Sequence, residues 1–285
     1  MPPLTPTPAI RLIVNADDAG LTAGVNRAVT ELAAAGALSS TTLMANGSAF
    51  QDAIAGGAPA TGCHVVLVDG SPVSPAAQVP SLVNKNGKLQ TSLVRFVADL
   101  QMGRITEKEI EIEAVAQISR LQSAGVVVTH VDTHKHTHLF PHVARPLIRA
   151  ALRCDVRAIR NPFEQAWSAN LTRGALLRKM EVAALRRFSE RFHKLRRAAG
   201  LKTTDGSIGV SATGNLDAET LERLLTAATP GTWELVCHPG YNDRDLDQVK
   251  TRLRATRDTE REALLQLIPK AVRDGRIALI SFADL

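Results

Sequence analysis

Aromatic side chains are scarce, at 4% of 285 residues, so the core has to be assembled mainly from Ala, Val, Leu and Ile. The three cysteines, Cys63, Cys154 and Cys237, are odd in number and form no CxxC pair. A disulfide framework is therefore not expected, and a reducing compartment is. The opening stretch MPPLTPTPAIRL has no basic region followed by an apolar run, so no signal peptide is expected. No apolar run approaches the roughly 18 residues of a membrane span. Together these absences point to the cytoplasm. No GxGxxG opens the first helical segment, which weighs against a dinucleotide-binding sheet. There is no internal repeat and no low-complexity tract.

What is present is the composition of a soluble globular chain, 45% hydrophobic and 22% charged. The length suits a single domain over residues 1–285, with 1–10 flexible. Short apolar runs at 12–16, 41–44, 63–68, 126–131, 156–159, 208–210, 235–237 and 278–281 read as eight strands. Most are continuous rather than alternating, the pattern of strands buried on both faces. Segments of helical period separate several of them: 22–35, 142–152, 216–227 and 254–274. Another helix follows Thr106, which with Glu109 forms a capping-box signature. Alternating strands and helices imply parallel pairing with right-handed crossovers. The expected fold is α/β, a closed or nearly closed (β/α) barrel; an open doubly wound sheet is the alternative. Residues 70–90, rich in Pro, Asn and Gly, read as a long loop of functional type.

The net charge of +6 is concentrated. Between Arg173 and Arg197 nine Lys and Arg face only Glu181 and Glu190, a local +7 that leaves the remainder at −1. A nucleic-acid binder is basic along a whole face, so none is expected as partner. In 171–199, Leu177, Met180, Ala184, Phe188, Phe192 and Leu195 recur at helical spacing, flanked by basic residues. This is a basic amphipathic helix. It reads either as peripheral membrane contact or as a barrel-wall helix with a solvated side.

The chemistry-bearing residues fall at the carboxyl ends of candidate strands, where parallel α/β folds build their sites. Asp17 and Asp18 follow the first strand. Adjacent carboxylates there can divide labour between cation and base, or simply form a polar turn. His130, Asp132, His134, His136 and His138 lie within nine residues that hold four of the eight histidines. If the backbone stays extended, their alternation puts the imidazoles on one face, where some could bind a transition metal. His64 is a lone histidine in an apolar strand, which by itself suggests a core residue. His238 ends another strand, before Pro239 and Gly240, and reads as a rim residue or a packed loop residue. Cys63 and Cys237, each preceding a histidine, point to the opposite layer and read as core.

The motifs NADDAGLTAGVN, TTLMANG, GCHVVLVDGSPV, THVDTHKHTHLFP and ELVCHPGYND, in that order, resemble those of the YdjC-like carbohydrate deacetylases. The resemblance spans residues 11–285, and the GCHVVLVDGSPV region and the basic segment resemble the hopanoid-biosynthesis-associated branch. It implies a deformed TIM-like barrel with one divalent metal, Mg²⁺ in the family, in its mouth. Carried over position by position, it makes Asp18, His64 and His134 the metal ligands, Asp17 the catalytic base and His238 the late-motif histidine. The last is a candidate acid for the departing amine. Asp132, His136 and His138 are then supporting or substrate-binding groups. A carboxylate with two imidazoles suits Zn²⁺ or another transition ion better than Mg²⁺ on ligand softness. Two positions depart from the family pattern: Ala19 replaces an aromatic, and Lys135 replaces a histidine. The implied reaction is N-deacetylation of an N-acetylglucosaminyl substrate, lipid-linked as in a hopanoid glycolipid, or alternatively a chitooligosaccharide. A metal-dependent phosphoesterase is a further alternative, which would need a second metal.

Overall fold

The computed structural model describes residues 10–57, 59–172, 186–249 and 251–285. Among the described residues, seven strands alternate with helices around one curled sheet. They are β1 (Ile10–Ala19), β2 (Ser40–Leu43), β3 (Ala60–Val65), β4 (Val128–Thr133), β5 (Gly206–Ile208), β6 (Gly231–Cys237) and β7 (Ala278–Leu279). The order is β4-β3-β2-β1-β6-β5, with β7 against the start of β1, and every named pairing is parallel. This is a deformed TIM-like barrel.

The expected eighth strand, 156–159, is not one. Val131 pairs with Ile159, Ala158 with Lys202 and Glu164 with Ser207, each as an isolated bridge. These single contacts span the gap between β4 and β5, so the ring is closed by an irregular strip. Its peptide groups still pair with backbone on both sides: Val131 N–H donates to the Ala158 carbonyl, Arg160 N–H to the Val131 carbonyl, Ile159 N–H to the Lys202 carbonyl and Lys202 N–H to the Arg157 carbonyl. The Glu164 carboxylate, 2% exposed, accepts from Ser168 Oγ at 2.7 Å and from the Ser211 backbone N–H at 2.8 Å.

The helices are α1 (Ala23–Ala34), α2 (Phe50–Ala55), α3 (Leu93–Gln101), α4 (Glu107–Ser123), α5 (Pro141–Arg153), α6 (Ala166–Leu171), α7 (Ser189–Ala198), α8 (Ala218–Ala227) and α9 (Arg257–Arg273). Thr22 caps α1, its side chain accepting from Val25 N–H. Thr106 caps α4 in the same way, but the reciprocal half of the expected capping box is not made. The Thr106 N–H goes to Ser81 Oγ, and Glu109 Oε2 accepts from Ser81 N–H at 2.6 Å. The 70–90 loop has captured both groups. Below it, the buried Glu113 carboxylate accepts from Val73 and Ser74 N–H, and Gln117 bonds both peptide groups of Val66. Val79, Leu82 and Leu89 are fully buried. The loop is therefore docked on α4.

Of the segment 171–199, residues 171–172, at the end of α6, and 186–199 belong to the described chain, so Leu177, Met180 and Ala184 lie outside it. In α7 the apolar side turns inward: Phe192 is 1% exposed, against Phe163 at 5.7 Å between ring centroids. Arg187, Arg191, Lys194 and Arg197 remain exposed. The described part is thus a barrel-wall helix, and its apolar face is already used. Among the described residues no helix is long and apolar enough to cross a membrane. Of residues 1–10, expected to be flexible, 1–9 lie outside the described residues, and Ile10 instead begins β1.

Candidate functional site

β1 continues through both aspartates instead of ending before them, and its register against β2 shifts between Ala16 and Ala19. Asp18 sits at φ 68°, a left-handed conformation costly for a side chain other than glycine. This breaks the up-down alternation of the strand, so both carboxylates reach His64.

The ligand atoms of Asp18, His64 and His134 lie within 4.8 Å of one another. Asp18 Oδ1 is 3.6 Å from His64 Nε2 and 3.4 Å from His134 Nδ1. That oxygen is buried and has no hydrogen-bond partner. An unpartnered carboxylate oxygen facing two imidazole nitrogens is a donor set that fits a divalent cation. The His64 ring is oriented from behind: β3 and β4 align it with Asp132, whose Oδ1 is 2.8 Å from Nδ1. Nε2 is thereby turned toward Asp18.

The histidine run does not stay extended. His134–Leu139 form a 3-10 turn in which Lys135 and His136 have φ of 58° and 51°. The four imidazoles therefore do not share a face. His134 joins Asp18, whereas His130 stacks on Phe282 at 3.7 Å. His138 Nδ1 is 2.7 Å from Thr133 Oγ1, and its Nε2 is unpartnered. His136 Nδ1 is also buried without a partner. Burial and the nearby Arg160 charge push the His136 pKa down to about 3, so its ring is neutral.

Asp17 has a different neighbour. Arg160 Nη1 and Nη2 donate to its two oxygens at 2.8 and 2.6 Å, with Asn15 Nδ2 and Thr42 Oγ1 on Oδ1. Arg160 is fully buried and also pairs with Asp132 and Glu234. Burial would raise the Asp17 carboxyl, but the Arg160 guanidinium, helped by His64 and His238, holds it well below the usual range. Asp18 is likewise held low against its burial, by Arg257 and His134. With three carboxylates on one guanidinium, burial dominates at Glu234 and lifts it to about 7. Burial would lower His64, but Asp132, Asp17 and Asp18 raise it to about 9 in the metal-free chain.

His238 Nε2 is 3.8 Å from Asp17 Oδ2. Cys63 and Cys237 are free, fully buried core residues. The expected Asp17, Asp18, His64, Asp132, His134 and His238 are thus brought together, and His130 is not part of the set. Arg160, Glu234, Arg257, Glu260 and Thr42 are site residues that the sequence reading missed. Glu234 carried a signal, a carboxylate inside an apolar strand, and so did Arg160, directly after an apolar run. Arg257 and Glu260 had none, because charged residues at a helix start read as a solvated face.

The carbohydrate deacetylase of Thermoanaerobacter pseudethanolicus is 29% identical over 279 residues, covering 96% of this chain and 98% of that one. The chitooligosaccharide deacetylase of Serratia marcescens is 34% identical over 247 residues, covering 84% and 85%. A solved Enterococcus faecalis structure, assigned to cellobiose-phosphate cleavage, superposes with a TM-score of 0.77 at 23% identity, covering 96% and 98%. That likeness speaks for the fold alone. A sequence model of the family described as YdjC-like protein matches residues 11–271, so the chain belongs to the YdjC-like family.

Proposed function

We propose that this protein is a metal-dependent deacetylase that hydrolyses the N-acetyl group of an amino sugar. The observation that carries this reading is the convergence of Asp18, His64 and His134 around an unpartnered carboxylate oxygen, with Asp17 and His238 alongside. The names of the relatives from Thermoanaerobacter and Serratia support the substrate class.

In this reading Asp18, His64 and His134 hold one divalent ion, Mg²⁺ by family or Zn²⁺ by ligand type. When bound, that ion supplies Lewis acidity to the acetyl carbonyl and to the attacking water. Asp17, kept anionic by Arg160, takes the proton from water. His238 Nε2, 3.8 Å from Asp17 Oδ2, sits where a proton can pass on to the departing amine. Asp132 holds the His64 ring through Nδ1. His138 is fully buried and the unpartnered Nδ1 of His136 is buried, so in this reading both support the site from within.

Asp17, His64 and Asp132 form a second group that could ligate a cation. Arg160 already fills it with its own positive charge. This favours one metal and disfavours the two-metal phosphoesterase reading. The preferred substrate is an N-acetylglucosaminyl lipid of hopanoid type, with chitooligosaccharides as the alternative. The exposed Arg187, Arg191, Lys194 and Arg197 would meet the anionic membrane surface that presents such a lipid. We assign the protein to the cytoplasm, peripheral to that membrane, as one domain over 1–285.

The test is acetate release from N,N′-diacetylchitobiose and from an N-acetylglucosaminyl lipid, with and without chelator. Chelator-sensitive release is expected, faster on the lipid. No release from either substrate with metal supplied would sink the reading. Co-sedimentation with anionic liposomes at low salt tests the membrane contact, and absence of binding would remove it.

A further inference from the structure

Two residues at the start of α9 reach the site from outside the barrel. Arg257 and Glu260 are each 1% exposed. Arg257 Nη2 donates to Asp18 Oδ2 at 2.6 Å, and its Nη1 donates to the His238 carbonyl at 3.4 Å. Glu260 Oε2 accepts from the His238 N–H at 2.6 Å, while Oε1 accepts from Gly214 N–H at 3.1 Å. Both peptide groups of His238 are therefore held by side chains one helical turn apart. The chain after His238 is fitted to this bracket. Gly240 N–H donates to the Arg257 carbonyl, and a Cβ at Gly240 would lie 2.9 Å from Arg257 Cδ.

Local physics opposes such an arginine. It is a buried cation on the first residue of a helix, where the helix dipole disfavours positive charge. Its compensation is the Asp18 carboxylate. By occupying Oδ2, Arg257 leaves Oδ1 as the atom that faces His64 and His134. The same guanidinium reaches the backbone of the histidine beside Asp17. Asp18 and His238 are far apart in sequence and stand on two different strand ends, yet one side chain sets the position of both.

We propose that Arg257 and Glu260 are positioning residues that lock Asp18 and His238 into one rigid unit, so that the cation site and the proton-transfer histidine are set together. This rests on the deacetylase reading for what His238 does, but not for what Asp18 binds. The two variants separate the halves of the bracket. In Arg257→Met, Asp18 loses its anchor, and Zn²⁺ affinity of the metal-free protein, measured by calorimetric titration, is expected to fall about 10- to 100-fold. In Glu260→Gln the hold on the His238 and Gly214 N–H groups is disturbed, while the Asp18 contact stays. Zn²⁺ affinity is expected to stay within about threefold of wild type, while kcat for acetate release falls at least about tenfold at unchanged KM. Arg257→Lys, which keeps the charge but cannot span both partners, is expected to fall between these in affinity. Circular dichroism and urea midpoints identify a variant that has simply unfolded. If Arg257→Met does not fold, Arg257→Lys decides the affinity arm.

Unchanged Zn²⁺ affinity in the folded Arg257 variant, or unchanged kcat in Glu260→Gln, overturns the proposal. A wild-type chain that binds Zn²⁺ but releases no acetate removes the deacetylase reading instead. The affinity arm of Arg257 is still decided in that case.

Discussion

Arg160 grips Asp17 with both terminal nitrogens, 2.8 and 2.6 Å from its two carboxylate oxygens, although the residues are 143 positions apart. The pair is fully enclosed, and Asp132 and Glu234 share the same guanidinium. It holds the resting Asp17 as a carboxylate, while the neighbouring Asp18 turns its Oδ1 toward His64 and His134.

Replacing Asp17 by Asn is expected to lower kcat by about 100- to 10,000-fold. Bound metal, measured by elemental analysis, should stay near wild type. Loss of metal in that variant would make Asp17 a ligand instead of a base.

His64 gives the metal-free protein a distinctive pH response. Its folded pKa is about 9, above the unfolded 6.5, because Asp132 and the two aspartates of β1 outweigh its burial. The stability it contributes is fully present below pH 6.5 and is lost as pH rises through 9. Urea midpoints of chelated protein should fall across that window. Zn²⁺ binding at pH 7.5 should release a proton, visible as a buffer-dependent calorimetric heat. Proton-neutral binding would contradict the assignment of His64 as ligand.

Glu234 responds in the same direction at lower pH. Burial lifts its carboxyl from 4.5 to about 7, so its protonated form is favoured in the fold. That stability is complete below 4.5 and lost as pH rises through 7. Glu234→Gln fixes the neutral form and keeps an acceptor for Arg160. The variant should show a flatter midpoint-versus-pH curve between 4.5 and 7 and equal or greater stability at pH 8. A curve parallel to wild type would show that Glu234 is not the titrating group.

The barrel floor is closed by the C-terminal turn. Phe282 stacks on the buried His130 ring and packs with Ile13 and Ala158. Phe282→Ala should cost about 3–5 kcal/mol in urea unfolding. A Cβ at Gly62 would lie 2.4 Å from the same imidazole, so Gly62→Ala should also destabilise. If both variants keep wild-type midpoints, the floor does not depend on this stack.

Lys135 forms an ion pair with Asp69, and both residues have positive φ. The pair is partly exposed, so Lys135→Ala should change stability by only about 0–1 kcal/mol. It ties the 3-10 turn after β4 to the start of the docked loop, so KM for the sugar should rise several-fold. An unchanged KM would leave the pair without a role in substrate binding.

The sequence by itself determined the class of fold and the neighbourhood of the site, because hydrophobic period reports which residues are buried and where strands end. His134 and His238 were legible because each directly follows a strand, and Asp17 and Asp18 because they are charges in the last residues of an apolar one. Local pattern could not determine which buried charge meets which. The apolar run 156–159 reports burial, but not how long its pairing lasts, and in the fold it meets its neighbours only through isolated bridges. Nothing in the alternation of the histidine run announces the left-handed backbone at Lys135 and His136 that splits its imidazoles between faces. Arg160 and Arg257 find their aspartates 143 and 239 residues away. Such pairings exist only after the barrel closes, because a buried charge is tolerated only where its counter-charge arrives.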